Sequence, residues 1–411
     1  MFIGFAAGAL GGIAAHRYAA GSPGLDAFIR WAAQPAGTIF LRLLVMLVVP
    51  LIFSALALGV AGLGDLRRLG RVGLGTLAYT VVVSAVAVLL GVLLVNTLRP
   101  GEGVPETTRA RLLEGAAARS AGITPAAAPE TFVDFIVQIV PANPVRAAAE
   151  GDMLAVMFFA LMVGVGIVLT RSAAARRFEE ALQGLYEITV RLIHLVIALA
   201  PFGVAALLFT LTAQLGYEIL WQLGRYVAVV LLGLGLHQFV VYSLTVRFLG
   251  GMSPLRFFRD VREAMVMAFS TASSNATLPT ALEVAQQRLR LPPEISRFVL
   301  TIGSTANQNG TALFEGVTVL FLAQFYGVEL TVAQQITVAA VCALGGIGTA
   351  GVPGGSLPVV MMILGLVNVP VEGIGLILGV DRFLDMCRTT LNVTGDLAAA
   401  VVVSRAARRA A

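Results

Sequence analysis

Near the end of the chain, the stretch "DRFLDMCRTTLNVTGD" holds five residues whose types and spacing suit the binding of charged solutes. Asp381, Asp385, Arg388, Asn392 and Asp396 fall at i, i+4, i+7, i+11 and i+15, so on a helix they form one narrow stripe. Arg388 offers a planar fork that matches a carboxylate. Asp385, three residues earlier, suits an ammonium, and the two together fit a zwitterion with an extra carboxylate, an acidic amino acid. Asp396 and Asn392 offer the hard oxygens that small cations prefer. The plainer reading is a salt-bridge ladder that merely holds helices together. Aspartate outnumbers arginine on the stripe, however, and an uncompensated carboxylate at membrane depth calls for a cation or a cationic substrate group.

A second polar centre is "STANQNGTALFEG" (304–316), with three consecutive side-chain amides at Asn307, Gln308 and Asn309 and a carboxylate at Glu315. It lies between the apolar runs "ISRFVLTIG" and "VTVLFLAQFYGV". Two further stretches, "SSNATLPT" (273–280) and "GTAGVPGG" (348–355), are broken by Ser, Gly and Pro. The first can turn hydroxyls and a helix start toward an anion, and the second suits a flap that opens and closes; its plain alternative is a kinked helix.

The elements that carry these groups must sit in a bilayer. Of 411 residues, 58% are hydrophobic and 12% charged, against roughly 45–50% and about 25% in soluble proteins. Runs such as "LRLLVMLVVPLIFSALALGVAGLG" (41–64) reach the ~20 residues that span a membrane. Apolar runs predict helices near 1–16, 36–63, 72–98, 152–170, 180–213 and 219–248, a broken segment 258–288, a helix 295–325, a second broken segment 332–368, and a last helix 371–404. The first apolar segment lacks a basic leader and a cleavage site, so it reads as a membrane helix and not a signal peptide.

All 28 basic residues are arginine, for a net charge of +5, and their placement in short loops predicts topology. Arg67, Arg68 and Arg71, the cluster Arg171–Arg177, the loops 247–262 and 288–297, and the tail Arg405–Arg409 all belong on the cytoplasmic side. Alternation then requires 258–288 to enter and leave from the cytoplasm and 332–368 from outside, making both re-entrant hairpins. Arg17, Arg30 and the mixed-charge loop 99–150 are exceptions. Each hairpin is followed by a helix bearing Asn-x-x-Gly, "NQNG" (307–310) and "NVTG" (392–395). Such paired, oppositely oriented interrupted units mark a transporter's binding site.

These motifs in combination resemble the glutamate transporter family, the dicarboxylate/amino acid:cation symporters, in a prokaryotic form. The similarity runs from "RLLVMLVVPLIFSAL" to "DMCRTTLNVTGD", nearly the whole chain. It implies an all-α polytopic membrane protein with eight transmembrane helices, two re-entrant helical hairpins, inverted repeats and an elevator mechanism, assembled as a homotrimer. The expected division is scaffold helices 1–2 over 1–71, transport-domain helix 3 over 72–98, an extracellular loop 99–151, scaffold helices 4–5 over 152–213, and the remainder of the transport domain over 214–411.

By the same resemblance Arg388 binds the substrate side-chain carboxylate and Asp385 its amino group. Thr389, Asn392, Ser274, Thr311 and the flap from Val352 to Ser356 complete the pocket. Gly303, Asn307, Asn392 and Asp396 match one sodium site, and Thr305, Gly346, Ile347 and Thr349 match a second. The family's usual Asn-Met-Asp-Gly-Thr reads here Asn307-Gln308-Asn309-Gly310-Thr311. Asn309 thus replaces a third-site carboxylate, and Thr80 and Val83 stand where Tyr and Thr are usual, with Ser84 kept. A missing carboxylate removes an attraction of ~4 kcal/mol at 4 Å with an effective dielectric near 20, and Val83 has no ligand atom. The expectation is a lost third sodium site and, through Gln308 in place of methionine, an altered second. Glu315 matches a proton-binding glutamate of animal members; its plainer reading is a glutamate bonded to a neighbouring polar group.

The functional expectation is import of aspartate or glutamate driven by protons, sodium or both, with proton coupling slightly favoured. A C4-dicarboxylate carrier is the alternative, against which Asp385 counts. A channel and an intramembrane enzyme fit less well: "GLGD" (62–65) lacks a Tyr-Asp partner, and no phosphate loop points to ATP. His16, His194 and His237 are scattered and read as interface or core residues. Expected partners are the substrate, the bilayer and copies of the chain, with no nucleic acid and no cofactor beyond the co-transported H+ or Na+. The expected location is the inner membrane of a prokaryote, with both termini cytoplasmic.

Overall fold

A computed structural model describes residues 2–62, 71–104, 140–150, 153–170, 172–216, 218–348 and 356–410, and every regular element in them is helical. The principal helices are α1 (Phe2–Ala19), α2 (Gln34–Val45), α3 (Val48–Gly62), α4 (Arg71–Leu98), α5 (Met153–Thr170), α6 (Ala173–Leu215), α7 (Glu218–Leu236), α8 (Pro254–Thr271), α9 (Ser274–Glu283), α10 (Pro293–Ala306), α11 (Asn309–Tyr326), α12 (Val332–Gly348), α13 (Leu357–Leu366) and α14 (Ile374–Ala410). By length and composition Gly73–Leu98 and Ile219–Leu249 are apolar enough to cross a membrane, and Ala173–Val196 with Ala198–Gln214 forms a pair bent by 51° that passes the same test as a unit.

Local chemistry explains the ends and breaks. Ser172 caps α6, its side chain accepting from Ala175 N–H, and Gly216 closes that helix at φ 74°. Pro254 and Pro293 begin α8 and α10, where a missing N–H costs nothing. The chain turns between α8 and α9 at Ala272, a non-glycine residue in the left-handed region (φ 49°), and Ser273 then caps α9. The two helices pack against each other, and both pack on α14. Between α10 and α11 the helix stops at Asn307 (φ −105°, ψ 67°) and Gln308 (φ −102°, ψ 54°) and restarts at Asn309. α14, in contrast, runs unbroken through its own Asn-x-x-Gly.

α11 is the centre of the molecule: every residue from Asn309 to Ala323 is buried. It packs on α4, α7, α12, α13 and α14, while α6 packs on α1, α2 and α3. The approach of α1 to α6 is close because Gly8 has no side chain: a Cβ there would lie 2.4 Å from the Ala205 carbonyl oxygen. Ile52, Leu56, Met157, Gly345, Val359 and Met362 come together at one apolar meeting point of helices from both groups.

Candidate functional site

The stripe on α14 is buried. Asp381, Asp385, Arg388, Thr389, Asn392 and Asp396 are each no more than 5% exposed, and Arg388 is among the largest fully buried side chains. A buried guanidinium needs opposite charge and hydrogen bonds, and Arg388 has two carboxylates. Its Nη1 donates to Asp381 Oδ1 at 2.8 Å, and its Nη2 lies 2.9 Å from Asp385 Oδ1. Its third neighbour is the Phe314 ring, whose centroid is 4.2 Å from the guanidinium carbon, a cation–π contact. Arg382 stands at the rim, Nη1 3.9 Å from Asp385 Oδ2 and about a third exposed.

Asn392 fastens the break between α10 and α11 to α14. Its Oδ1 accepts the Gly310 N–H at 2.7 Å, and its Nδ2 donates to Gln308 Oε1 and to Thr311 Oγ1. Gly310 is needed for this approach, since a Cβ there would be 2.7 Å from the Arg388 carbonyl oxygen. The break therefore brings Thr311 against Asn392 and adds Gln308 as a bridge.

Asp396 meets the residues expected beside it. Asn307 Nδ2 donates to its Oδ1 at 2.9 Å, and Gly303 lies so close that a Cβ would be 2.5 Å from the same oxygen. Asn307 Oδ1 is buried with no hydrogen-bond partner among the described residues. A buried carboxylate beside an amide oxygen that has no donor is an arrangement of hard oxygens suited to a small cation.

Asn309 is enclosed differently. Its Oδ1 accepts from Ser84 Oγ at 2.6 Å, and its Nδ2 donates to the Tyr242 hydroxyl at 3.0 Å. Thr80 and Val83 are buried on the same helix, α4. Both polar ends of the Asn309 amide are thus taken up by neutral groups.

Glu315 is fully buried on α11, and its Oε2 is 3.3 Å from where a Cβ on Gly345 of α12 would lie. Gly346, next in α12, faces the Gln308 carbonyl oxygen and Ala312. Ser274 is buried at the start of α9, and Ser356 is buried just before α13 with its hydroxyl lacking a partner among the described residues. Thr305 lies in α10 and Ile347 in α12; Thr349 and Val352 fall outside the described residues. His237 is buried edge-on to Tyr242, ring centroids 4.9 Å apart, and His16 bonds the Ala213 carbonyl at 2.8 Å.

Three contributors were not assigned a role from sequence. Asp381 was visible as a member of the stripe, seven residues before Arg388. Phe314 and Tyr242 carried no signal, because their partners belong to other helices.

Comparison with known proteins shows the family of the chain. The chain matches the sodium:dicarboxylate symporter family over residues 1–406. It is 34% identical over 372 residues to a proton/glutamate-aspartate symporter of Escherichia coli (strain K12), covering 90% of this chain and 84% of that one. A proton/sodium-glutamate symport protein of Bacillus subtilis (strain 168) is 34% identical over 410 residues, 98% and 91% of the two chains. A C4-dicarboxylate transport protein of Rhodospirillum rubrum is 32% identical over 379 residues, 91% and 82%.

Proposed function

Because this chain belongs to the sodium:dicarboxylate symporter family, a family of transporters and not of enzymes, we propose that it imports aspartate or glutamate by cation-coupled symport. The observation that carries the proposal is the pairing of buried Arg388 with Asp385 at 2.9 Å. An acidic amino acid can exchange into that pair without leaving any buried charge alone. Its side-chain carboxylate takes the guanidinium fork, and its ammonium takes the Asp385 carboxylate that the fork releases. Ser274, Thr311, Thr389 and Asn392, with Val352 and Ser356 of the flap, surround the bound substrate in this reading.

The driving cation uses the other end of the stripe. Asp396, Asn307, Asn392 and Gly303 suit sodium, and Thr305, Gly346, Ile347 and Thr349 make up the second sodium site, altered by Gln308. Glu315, fully buried against α12, is the proton carrier in this reading. Asn309, held by Ser84 and Tyr242, has no charge with which to hold a third cation, and Val83 offers no ligand atom.

The same reading places the chain in the inner membrane of a prokaryote with both termini cytoplasmic, as a homotrimer of eight-helix subunits. Residues 1–71 and 152–213 form the scaffold, and 72–98 with 214–411 form a transport domain that moves as an elevator, with 258–288 and 332–368 as re-entrant hairpins. The packing of α6 with α1, α2 and α3, and of α11 with α4, α12 and α14, supports that division.

A C4-dicarboxylate substrate is the second reading, favoured by the 32% identity to a transporter so named. Such a substrate brings no ammonium, so once Arg388 is taken Asp385 keeps only the longer contact with Arg382 at the rim. Uptake of radiolabelled aspartate, glutamate and succinate into proteoliposomes, under a proton gradient, a sodium gradient and both, separates the readings. Accumulation of either amino acid under an inward cation gradient is expected. If only succinate accumulates, the acidic amino acid reading is wrong.

A further inference from the structure

The sequence repeats Asn-x-x-Gly at 307–310 and 392–395, and Asn392 accounts for only half of the second copy. Gly395 accounts for the rest. A Cβ on Gly395 would lie 2.3 Å from the Tyr242 hydroxyl oxygen and 3.2 Å from Asn309 Nδ2. The hydroxyl occupies that space. It accepts from Asn309 Nδ2 at 3.0 Å and donates to the Leu391 carbonyl at 3.2 Å, while Asn309 Oδ1 accepts from Ser84 at 2.6 Å. Each direction is fixed, because an amide N–H only donates and a backbone carbonyl only accepts. Tyr242 itself lies between two π-helical turns, His237–Val241 and Thr245–Leu249. Each carries an extra residue that shifts the helical register on either side of it, a device common at functional sites.

We infer that Tyr242 is a positioning residue for cation coupling, the second jaw of a clamp whose first jaw is Asn392. Asn392 holds Gln308, Gly310 and Thr311; Tyr242 holds Asn309 and ties it to Leu391, the residue before Asn392. Asn307 enters the clamp from one side, and Asp396, next to Gly395, from the other. The spacing of their oxygens is therefore set by a neutral hydrogen-bonded chain through Tyr242. This rests on the cation-coupled reading above and adds the group that holds its cation ligands in register.

The test is Tyr242→Phe in the full-length protein, reconstituted in proteoliposomes. Two constants are measured: the KM for the acidic amino acid at saturating cation, and the half-saturating concentration of whichever cation drives wild-type uptake. The half-saturating cation concentration should rise about threefold to tenfold, the range expected for one buried hydrogen-bonded link, while the substrate KM changes by less than about twofold. Gly395→Ala should give the same split, because its methyl group displaces the hydroxyl, and adding Tyr242→Phe to it should worsen neither constant. Amide exchange at residues 309–311 reads the clamp without transport, and should be about threefold or more faster in Tyr242→Phe. Unchanged cation dependence, a parallel rise in both constants, or unchanged amide exchange would each overturn the inference. Wild-type protein that takes up neither amino acid under any gradient sinks the symport reading; the exchange measurement still decides whether Tyr242 clamps the break.

Discussion

Arg388 Nη1 stands 2.8 Å from Asp381 Oδ1, on the same helix and about two turns away. With Asp385 on the other arm of the fork, one guanidinium serves two carboxylates, and the proposed function uses this arrangement by exchanging one carboxylate for the substrate's own. An ammonium and a carboxylate on one small molecule meet both conditions.

Arg388→Lys keeps the charge and loses the fork. The KM for glutamate and aspartate should rise about tenfold or more, as a bidentate pair becomes a point contact. This variant is cleaner than Arg388→Ala, which leaves Asp381 buried without its guanidinium partner and costs about 3–5 kcal/mol. An unchanged KM in Arg388→Lys would remove Arg388 from the substrate pocket.

Asp381→Asn retains shape and an acceptor for Nη1 but removes the charge that competes with substrate. The KM for acidic amino acids should fall about threefold, and turnover should slow because release now breaks a less contested pair. Initial rates and counterflow exchange measure the two effects separately. A higher KM would show that Asp381 orients the guanidinium more than it competes for it.

Glu315→Gln fills the same volume against Gly345 and cannot exchange a proton. Uptake driven by a proton gradient in sodium-free buffer should be lost, whereas sodium-driven uptake should persist. Proton-driven accumulation that survives the substitution would assign the proton to another group.

Gly303→Ala places a methyl group 2.5 Å from Asp396 Oδ1. The carboxylate must move, so the half-saturating cation concentration should rise about tenfold, with about 1–3 kcal/mol of destabilisation from overpacking. Gly166→Ala, where nothing lies within 4 Å of the added carbon, is the matched control and should transport as wild type. Equal behaviour of the two variants in cation titrations would place the cation away from Asp396.

Much of the fold could be read along the chain because hydropathy and breakers act locally. The expected helix 72–98 is Arg71–Leu98, the expected 152–170 is Met153–Thr170, and the interruption at "NQNG" falls at Asn307 and Gln308. The expected single helix 36–63 is instead two, Gln34–Val45 and Val48–Gly62, and 180–213 begins earlier, at Ala173, where Ser172 caps it. The stripe on α14 was equally legible, since a continuous helix turns spacing directly into a shared face.

Tertiary structure alone decided what each polar group touches. Ser84 and Asn309 are 225 residues apart, and Asn307 and Asp396 are 89 apart; no local pattern encodes such partners. That Arg388 lies over Phe314, that Gly395 makes room for Tyr242, and that Glu315 faces α12 at Gly345 all follow from how α11 packs among α4, α12 and α14. The sequence by itself determined which side chains had to be buried and on which helices, because periodicity and chain breaks are properties of neighbouring residues. Their pairing depended on the packing of separate helices, where distance and direction decide which donor meets which acceptor.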